Sequence, residues 1–361
     1  MKKTIAIALS GGIDSLVAAY ILNQKGYQVT GLHFLTGFED YYPNRNKRHA
    51  MDIAYTRLKP ISKQLQIPIH VIDLTEDFKQ RVISYFVETY QSGLTPNPCL
   101  VCNPTIKFDL LSAHARNLGA HRLATGHYAR CVQNSNGTWD LFKGVDSQKD
   151  QSYFLTRLTQ NQLAYAYFPL GEMQKQQTLN IARENGLHPM FKGESQDICF
   201  IKRGSYGDFL KQQSGFKMKP GPIVDLNGKV LGTHKGLHLF TIGQRRGINC
   251  PAKEPYYVVR LDPKHNRLVV GFKNALNSMG CQVTQINWLN TIPSTPFKAG
   301  VRVRYRHREV MATIEPENNT QVIVRFDTPQ KAITPGQGAV FYHKDRVIGG
   351  GWISVAFPDL A

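Results

Sequence analysis

Through the first two hundred residues, short apolar runs alternate with longer stretches whose apolar positions recur at helical spacing. The runs at 4–9, 29–35 and 69–74 have strand length, and their near-continuous apolar character is that of strands buried on both faces. Residues 16–22 are apolar around most of a helical circumference and are followed by Gly26 as a stop, and a further helix is predicted over 77–90. This alternation predicts an α/β domain over residues 1–203, an open parallel sheet with helices on both faces in the Rossmann-like manner. Beyond Lys202 glycine and proline become frequent, the apolar period shortens to two and long helical patterns nearly vanish. Two small mainly-β domains are expected there. The central one, 204–280, pairs 255–260 with 267–270 across Asp262-Pro263; the C-terminal one, 281–361, is barrel-like, with strands at 321–326 and 339–342. Alternation over 301–308 predicts another strand, with Arg302, Arg304, Arg306 and Arg308 about 7 Å apart on one face and Tyr305 on the other.

Between the first predicted strand and helix lies Ser10-Gly11-Gly12-Ile13-Asp14-Ser15. Two glycines allow close backbone approach, a helix N-terminus offers unpaired N–H groups, and Ser10 and Ser15 add hydroxyls, so the turn suits an anion. The G-x-x-x-x-G-K-[ST] motif is absent because the turn holds no lysine, and Asp14 in its place is expected to hold Mg²⁺ beside a polyphosphate.

The chain has 361 residues, enough for two or three domains, and a formal charge of +18 from 44 Lys and Arg against 26 Asp and Glu. That excess favours a polyanionic partner, and the row of arginines at 302–308 suits phosphates, so nucleic acid is expected. No run approaches the roughly 20 apolar residues of a membrane span, and the apolar run after Met1-Lys2-Lys3 is too short for a signal peptide. A cytoplasmic protein without membrane association is expected. Six cysteines are too few for a disulfide scaffold in a chain this long, so each is core filler or chemistry.

Other segments carry candidate chemistry. A surface loop is predicted over 37–47. Three prolines in 95–104 predict a stiff loop displaying Cys99 and Cys102. Leu35, at a strand end, can offer backbone groups to a nucleotide base; Gly126 and His127, in a second turn after a strand ending at Ala124, can approach a nucleotide. Lys149-Asp150-Gln151 precedes an aromatic pair, and Cys199 sits in the short apolar run closing the 194–201 element. Three readings of the cysteines compete. Structural zinc lacks a fourth ligand; a redox C-x-x-C would normally begin a helix; and persulfide chemistry, in which one cysteine carries sulfur and another resolves it, fits thiols beside a nucleotide turn.

The S-G-G-I-D-S turn resembles the PP-loop of ATP pyrophosphatases. With T-P-N-P-C-L-V-C-N, I-K-F at 106–108, A-T-G-H-Y, K-D-Q-S-Y-F, S-Q-D-I-C-F and T-P-G-Q-G-A-V-F in this order, the chain is similar to the tRNA-specific 2-thiouridylase family. The resemblance implies ATP-dependent adenylation of the C2 oxygen of the wobble uridine of tRNA. Sulfur then comes from a persulfide on Cys199, with Cys102 as the nucleophile, ending in a Cys102–Cys199 disulfide. It implies that Ala8, Leu9, Ser10, Gly11, Gly12, Ile13, Asp14, Ser15, Leu35 and Gly126 bind ATP. It further implies that Asn97, Pro98 and Cys99 approach the base, and that His127, Lys149, Asp150, Gln151, Tyr305, Arg306 and Gln337 contact tRNA, beside Arg304 from the arginine row. A persulfide-donor protein is the implied partner, and a monomer is expected. Many members of the family carry aspartate where this chain has Cys99. Cys99, Cys102 and Cys199 are also the complement of related enzymes with a [4Fe–4S] cluster, which stands as the alternative, with a PP-loop ligase of another class behind it.

Overall fold

In chain order the first elements are β1 (Thr4–Ala8), α1 (Ile13–Gln24), β2 (Gln28–Leu35), α2 (Lys47–Leu65), β3 (Ile69–Asp73), α3 (Thr75–Phe78), α4 (Ser84–Gln91), α5 (Pro98–Cys102) and α6 (Ser112–Asn117). There follow β4 (Arg122–Ala124), β5 (Ala129–Gln133), β6 (Trp139–Lys143), α7 (Gln160–Tyr165), β7 (Ala166–Tyr167), α8 (Lys175–Glu184) and α9 (Tyr206–Lys211). The β-rich remainder is β8 (Gly221–Val224), β9 (Val230–His234), β10 (Tyr257–Asp262), β11 (Arg267–Gly271), β12 (Asn277–Trp288), β13 (Phe297–Arg302), β14 (Val310–Asn318), β15 (Gln321–Lys331), β16 (Gly338–His343) and β17 (Arg346–Pro358). The computed structural model describes residues 3–39, 47–190, 198–202, 204–213, 215–216 and 218–358. Residues 40–46 of the predicted surface loop and 194–197 of the predicted 194–201 element lie outside these. Among the described residues no helix is long and apolar enough to cross a membrane.

The chain divides into two units, one of 1–82, 99–202 and 345–347, the other of 83–98, 203–344 and 348–361. The first is built on a five-stranded sheet in the order β3-β2-β1-β4-β7, every neighbouring pair parallel. Its strands are the apolar runs of the sequence, because a parallel sheet covered on both faces leaves no polar face to alternate with. Ile5, Ile7, Val29 and Val71 pack with Leu16, Leu22, Leu58, Leu65 and Ala182 from α1, α2 and α8, while Ala6, Leu32 and Leu123 are fully buried beneath the opposite layer, where α6 packs on β4. β5 and β6 form a hairpin, to which residues 345–347 belong: Lys143 N–H donates to the Asp345 carbonyl and Arg346 lies opposite Phe142.

In the second unit β10-β11-β8-β9 form a four-stranded sheet over Ile223, Phe240, Val258, Leu268 and Val270. The predicted hairpin across Asp262-Pro263 is present as the antiparallel pair β10–β11. The strands β12-β15-β14-β13-β16-β17 form one run, and β12 pairs with β17, so the run closes on itself as a barrel around Val283, Val301, Ile314, Val324 and Phe341. Residues 83–98 belong to this unit through aromatic packing: Tyr90 stacks on Tyr206 at 5.1 Å, and Phe86 meets Phe209 at 5.9 Å.

Three local expectations are corrected. The predicted strand at 301–308 ends at Arg302, and 303–309 is a loop. Arg302 Nη2 donates to the Tyr305 carbonyl at 2.6 Å and His307 N–H to the Arg304 carbonyl at 3.0 Å, and these turn bonds override the period-two pattern. The segment 95–104 is not wholly loop: helix α5 starts at Pro98 and runs into the π-helical Asn103–Leu111. Proline is tolerated in a first turn, where its missing N–H has no partner to lose, and the widened π segment takes in Pro104. The C-x-x-C therefore does lie on a helix, which removes the objection to a redox pair drawn from the prolines. Finally, the helix predicted over 77–90 is three segments, α3, the π-helical Lys79–Ile83 and α4.

Candidate active site

The turn at 10–15 caps α1. Gly11 has φ +82°, Gly12 is the N-cap residue, and Ser15 Oγ donates to the Gly12 carbonyl at 2.8 Å with Ser10 Oγ 3.3 Å away. The first-turn N–H groups of a helix have no intrahelical acceptor, so this end of α1 presents donors and a positive dipole end. Gly126 backs onto it: a Cβ there would lie 2.9 Å from the Asp14 carbonyl carbon and the Ser15 nitrogen. Ala8 and Leu9 lead into the turn. Leu35 is fully buried and its carbonyl accepts from Leu74 N–H at 3.2 Å, so its side chain is core.

Asp14 lies in the first turn of α1 with both oxygens engaged. Lys175 Nζ donates to Oδ1 at 2.7 Å and Oδ2 at 2.9 Å, and Tyr128 Oη donates to Oδ1 at 2.9 Å. As it stands, Asp14 is the counter-ion of an ammonium. Lys175 did not stand out in the sequence, because nothing periodic links it to Asp14, 161 residues away, and Tyr128 appeared only as the end of the A-T-G-H-Y motif.

The thiols form a second group in this unit. All six cysteines are free. Burial pushes the Cys99 thiol up to about 11, helped by the charge of Cys199, while Lys107 pulls it down. Burial likewise takes Cys102 up to about 12 against the pull of Lys107. Cys199 is exposed by area, yet atoms crowd it on most sides; that desolvation raises its thiol, opposed by Lys107 and then Lys202. Of the remaining thiols, Cys281 feels burial alone and also reaches about 12. Lys107, carried by the π segment and paired with no carboxylate among the described residues, is thus the one cation shared by Cys99, Cys102 and Cys199.

Lys107 also acts on His127, which burial first and Lys107 second hold well below the usual imidazole range. The ring is neutral, with Nδ1 2.7 Å from Thr125 Oγ1 and faces toward Phe108 and Phe168. His127, next to Gly126 in sequence, thus shares with the three thiols the electrostatic influence of Lys107. The I-K-F motif contains Lys107, but only the three-dimensional grouping gives it a role. Replacing Lys107 by methionine removes the cation that favours the thiolates, so their pKa values rise further. Alkylation of Cys102 and Cys199 by iodoacetamide is expected to shift about one pH unit upward, with Lys107→Arg near the native profile. An unmoved Lys107→Met profile would show that the thiols do not depend on it.

Of the predicted tRNA contacts in this unit, Asp150 is buried and accepts from Gly144 and Ser152 N–H groups, and Gln151 Oε1 accepts from Tyr128 N–H at 3.0 Å. Both shape the turn that holds Tyr128, and Lys149 is half-buried beside them. Among the described residues no group of three His, Cys, Asp or Glu is set to hold a metal ion, so the three cysteines as placed do not fit a cluster.

In the second unit Gln337 Nε2 donates to the Thr95 and Pro96 carbonyls at 3.1 and 2.9 Å, and Asn97 N–H donates to Tyr85 Oη at 3.1 Å. The segment before Pro98 is therefore held rigidly, with Asn97 buried. Gln337 also lines a pocket of about 550 Å³ with Arg304, Tyr305, Arg306, His307 and Arg308. The loop that broke the predicted strand thus brings Tyr305 together with the arginines it was expected to face away from. Burial and the charge of Arg304 keep His307 below its usual range, so the positive charge of this pocket comes from arginine.

The parallel sheet, the glycine turn capping α1 and the close approach of Gly126 define a PP-loop domain of the HUP class. Residues 3–203 match the family model described as tRNA methyl transferase HUP domain, 207–272 its PRC-barrel domain and 278–353 the aminomethyltransferase beta-barrel domain. The chain belongs to the tRNA-specific 2-thiouridylase family. It is 46% identical to the tRNA-specific 2-thiouridylase MnmA of Desulfosudis oleivorans, over 97% of this chain and 94% of that one. It is likewise 46% identical to the MnmA of Syntrophotalea carbinolica, over 98% and 99% of the two chains, and 44% identical to that of Magnetococcus marinus, over 97% and 98%.

Proposed function

We propose that this chain is an ATP-dependent sulfurtransferase that converts the wobble uridine of tRNA to 2-thiouridine. Support comes from the family and from one observation above all: the nucleotide turn, with Gly126 packed on it, and the three thiols belong to the same unit, and the charge of Lys107 acts on His127 and on all three thiols. A carbonyl oxygen leaves poorly, so ATP first makes it a phosphate ester. The C2 oxygen attacks the α-phosphorus, a C–O–P linkage forms, and the bond to the β-phosphate oxygen breaks with its electron pair leaving as pyrophosphate. Residues 8–15, Leu35 and Gly126 hold the nucleotide in this reading. The turn's N–H groups and hydroxyls orient the phosphates, and Asn97, Pro98 and Cys99 approach the base.

The terminal sulfur of a Cys199 persulfide then attacks C2, AMP leaves with the former C2 oxygen, and the Cys102 thiolate cleaves the sulfur–sulfur bond. Sulfur stays on the uridine, and a Cys102–Cys199 disulfide awaits an external reductant. His127, Lys149, Arg304, Tyr305, Arg306 and Gln337 contact tRNA, while Asp150 and Gln151 act on it by holding the turn beside Lys149 in shape. Mg²⁺ would neutralise phosphate charge when bound, with Asp14 the carboxylate beside the phosphates. In this reading the domains are 1–203, 204–280 and 281–361, a persulfide-donor protein supplies the sulfur, and the protein acts as a monomer in the cytoplasm.

The test supplies unmodified tRNA, ATP and a small-molecule persulfide donor, and reads pyrophosphate release beside the mass of nucleosides after digestion. 2-Thiouridine with matching pyrophosphate is expected. Pyrophosphate without sulfur incorporation would favour a ligase, and the absence of both 2-thiouridine and pyrophosphate would overturn the reading. Replacing Arg304 and Arg306 by alanine is expected to weaken tRNA binding and to lower the slope of log affinity against log salt by about two, with ATP affinity unchanged. An unaltered slope places the phosphates elsewhere.

A further inference from the structure

The turn contains no cation of its own, yet a displaced pyrophosphate gains negative charge there. Lys175 is the first residue of α8, and its backbone N–H donates to Asp146 Oδ2 at 2.8 Å, which fixes where the side chain starts. Lys175 is 8% exposed, so the ammonium approaches α1 from within the protein. It reaches both oxygens of Asp14, and its Nζ lies 5.9 Å from the centroid of the Tyr128 ring. Tyr128 Oη bonds Asp14 and also Thr178 Oγ1, at 3.0 Å, one turn along α8 from Lys175. Asp14, Tyr128, Thr178 and Lys175 thus hold an ammonium against the end of α1 whose N–H groups face an anion. A buried ion pair is a weak source of stability, since desolvation offsets most of the attraction. A flexible four-carbon stem, by contrast, lets a lysine move its charge between two oxygen acceptors a few ångströms apart.

We propose that Lys175 is the phosphate-binding cation of the nucleotide site: it rests on Asp14 when no nucleotide is bound and turns to the β-phosphate oxygens when ATP is present. Asp14 and Tyr128 are its positioning residues. The lysine missing from the turn is supplied from 161 positions along the chain. As the bond from the α-phosphorus to the bridging oxygen breaks, the electron pair moves onto pyrophosphate, and the ammonium meets that charge without any proton transfer. Asp14 keeps the ammonium desolvated and placed beforehand, which saves reorganisation when the bond breaks. This rests on the reading that ATP phosphates occupy the turn at 10–15.

The test compares the full-length native protein with Lys175→Met, Lys175→Arg and Tyr128→Phe, using calorimetric titration with pyrophosphate, a non-hydrolysable ATP analogue and AMP. In Lys175→Met the affinities for pyrophosphate and the analogue are expected to fall about tenfold to a hundredfold while that for AMP is unchanged. Lys175→Arg is expected to retain most of the pyrophosphate affinity, and Tyr128→Phe to lose less than Lys175→Met. Equal pyrophosphate affinity in the native protein and a folded Lys175→Met would overturn the inference and leave the ion pair a strut between α1 and α8. If Lys175→Met does not fold, Lys175→Gln and Tyr128→Phe decide by the ratio of pyrophosphate to AMP affinity, which is expected to fall in both, and an unchanged ratio in both overturns it. Failure of the native protein to bind ATP analogue or pyrophosphate would instead defeat the underlying assignment of the turn.

Discussion

Cys199→Ser is expected to abolish sulfur transfer to tRNA, by a factor on the order of a thousand or more, while tRNA-dependent release of pyrophosphate continues. Adenylation belongs to the turn at 10–15 and sulfur delivery to the thiols, so the two activities separate. Serine is nearly the size of cysteine, and Cys199 is exposed, so the substitution leaves no cavity and does not test folding. Cys102→Ser is expected to show the same loss in turnover but a different intermediate: Cys199 still takes up a labelled sulfane sulfur and retains it. Because the two thiols act in one sequence, the double variant loses little more than either single one. Loss of pyrophosphate release in Cys199→Ser would tie the thiol to adenylation and break the division proposed here.

Gly126→Ala is expected to cost about tenfold or more in ATP affinity and about 1–3 kcal/mol in stability. The new Cβ meets backbone: the Asp14 carbonyl carbon and Ser15 nitrogen at 2.9 Å and the Asp14 carbonyl oxygen at 3.1 Å. No side chain can swing aside there, so the start of α1 must shift, carrying Asp14 off Lys175. Gly12→Ala provides the contrast. Gly12 sits at φ −83° and ψ 160°, open to any residue, and an added Cβ meets only Ser10 Oγ at 3.5 Å. Its melting temperature is expected to match that of the native protein, and ATP affinity to fall only if phosphate approaches the Gly12 backbone. Titration with an ATP analogue beside thermal melts reads both. A Gly126→Ala protein with native melting temperature and native ATP affinity would show that the close approach is dispensable.

The sheet and the turn were legible because their signal is local. β1 and α1 are consecutive, each states its burial in its own residues, and the glycines between them have few other uses. The elements that went astray are those decided by a few competing bonds. Over 301–308 the alternation of Val and Arg is a genuine strand pattern, but one arginine-to-carbonyl bond and one turn bond end the strand at Arg302. Around Cys99 the prolines argued for loop, whereas their positions, at the start of α5 and in a widened turn, are those a helix tolerates. Lys175 carried no signal of its own, and Lys107 only its place in the I-K-F motif. A lysine becomes part of a site only through what it is brought beside, and for both the partners lie on other elements.

The division of the chain has a consequence for how the protein comes into being. Residues 83–98 belong to the second unit although the first resumes at 99, and 345–347 belong to the first although they fall within the second. During synthesis from the N-terminus, the sheet of the first unit can assemble early, but β5 and β6 must wait more than two hundred residues for Asp345 and Arg346 to arrive. The barrel waits longer still, since β12 closes only on β17. Until then one edge of β12 stands open while a nascent chain is still being made, and open edges are where strands pair with the wrong neighbour. The barrel is therefore expected to close only once β17 has been made, with the newly made chain passing before that through a state that draws chaperones.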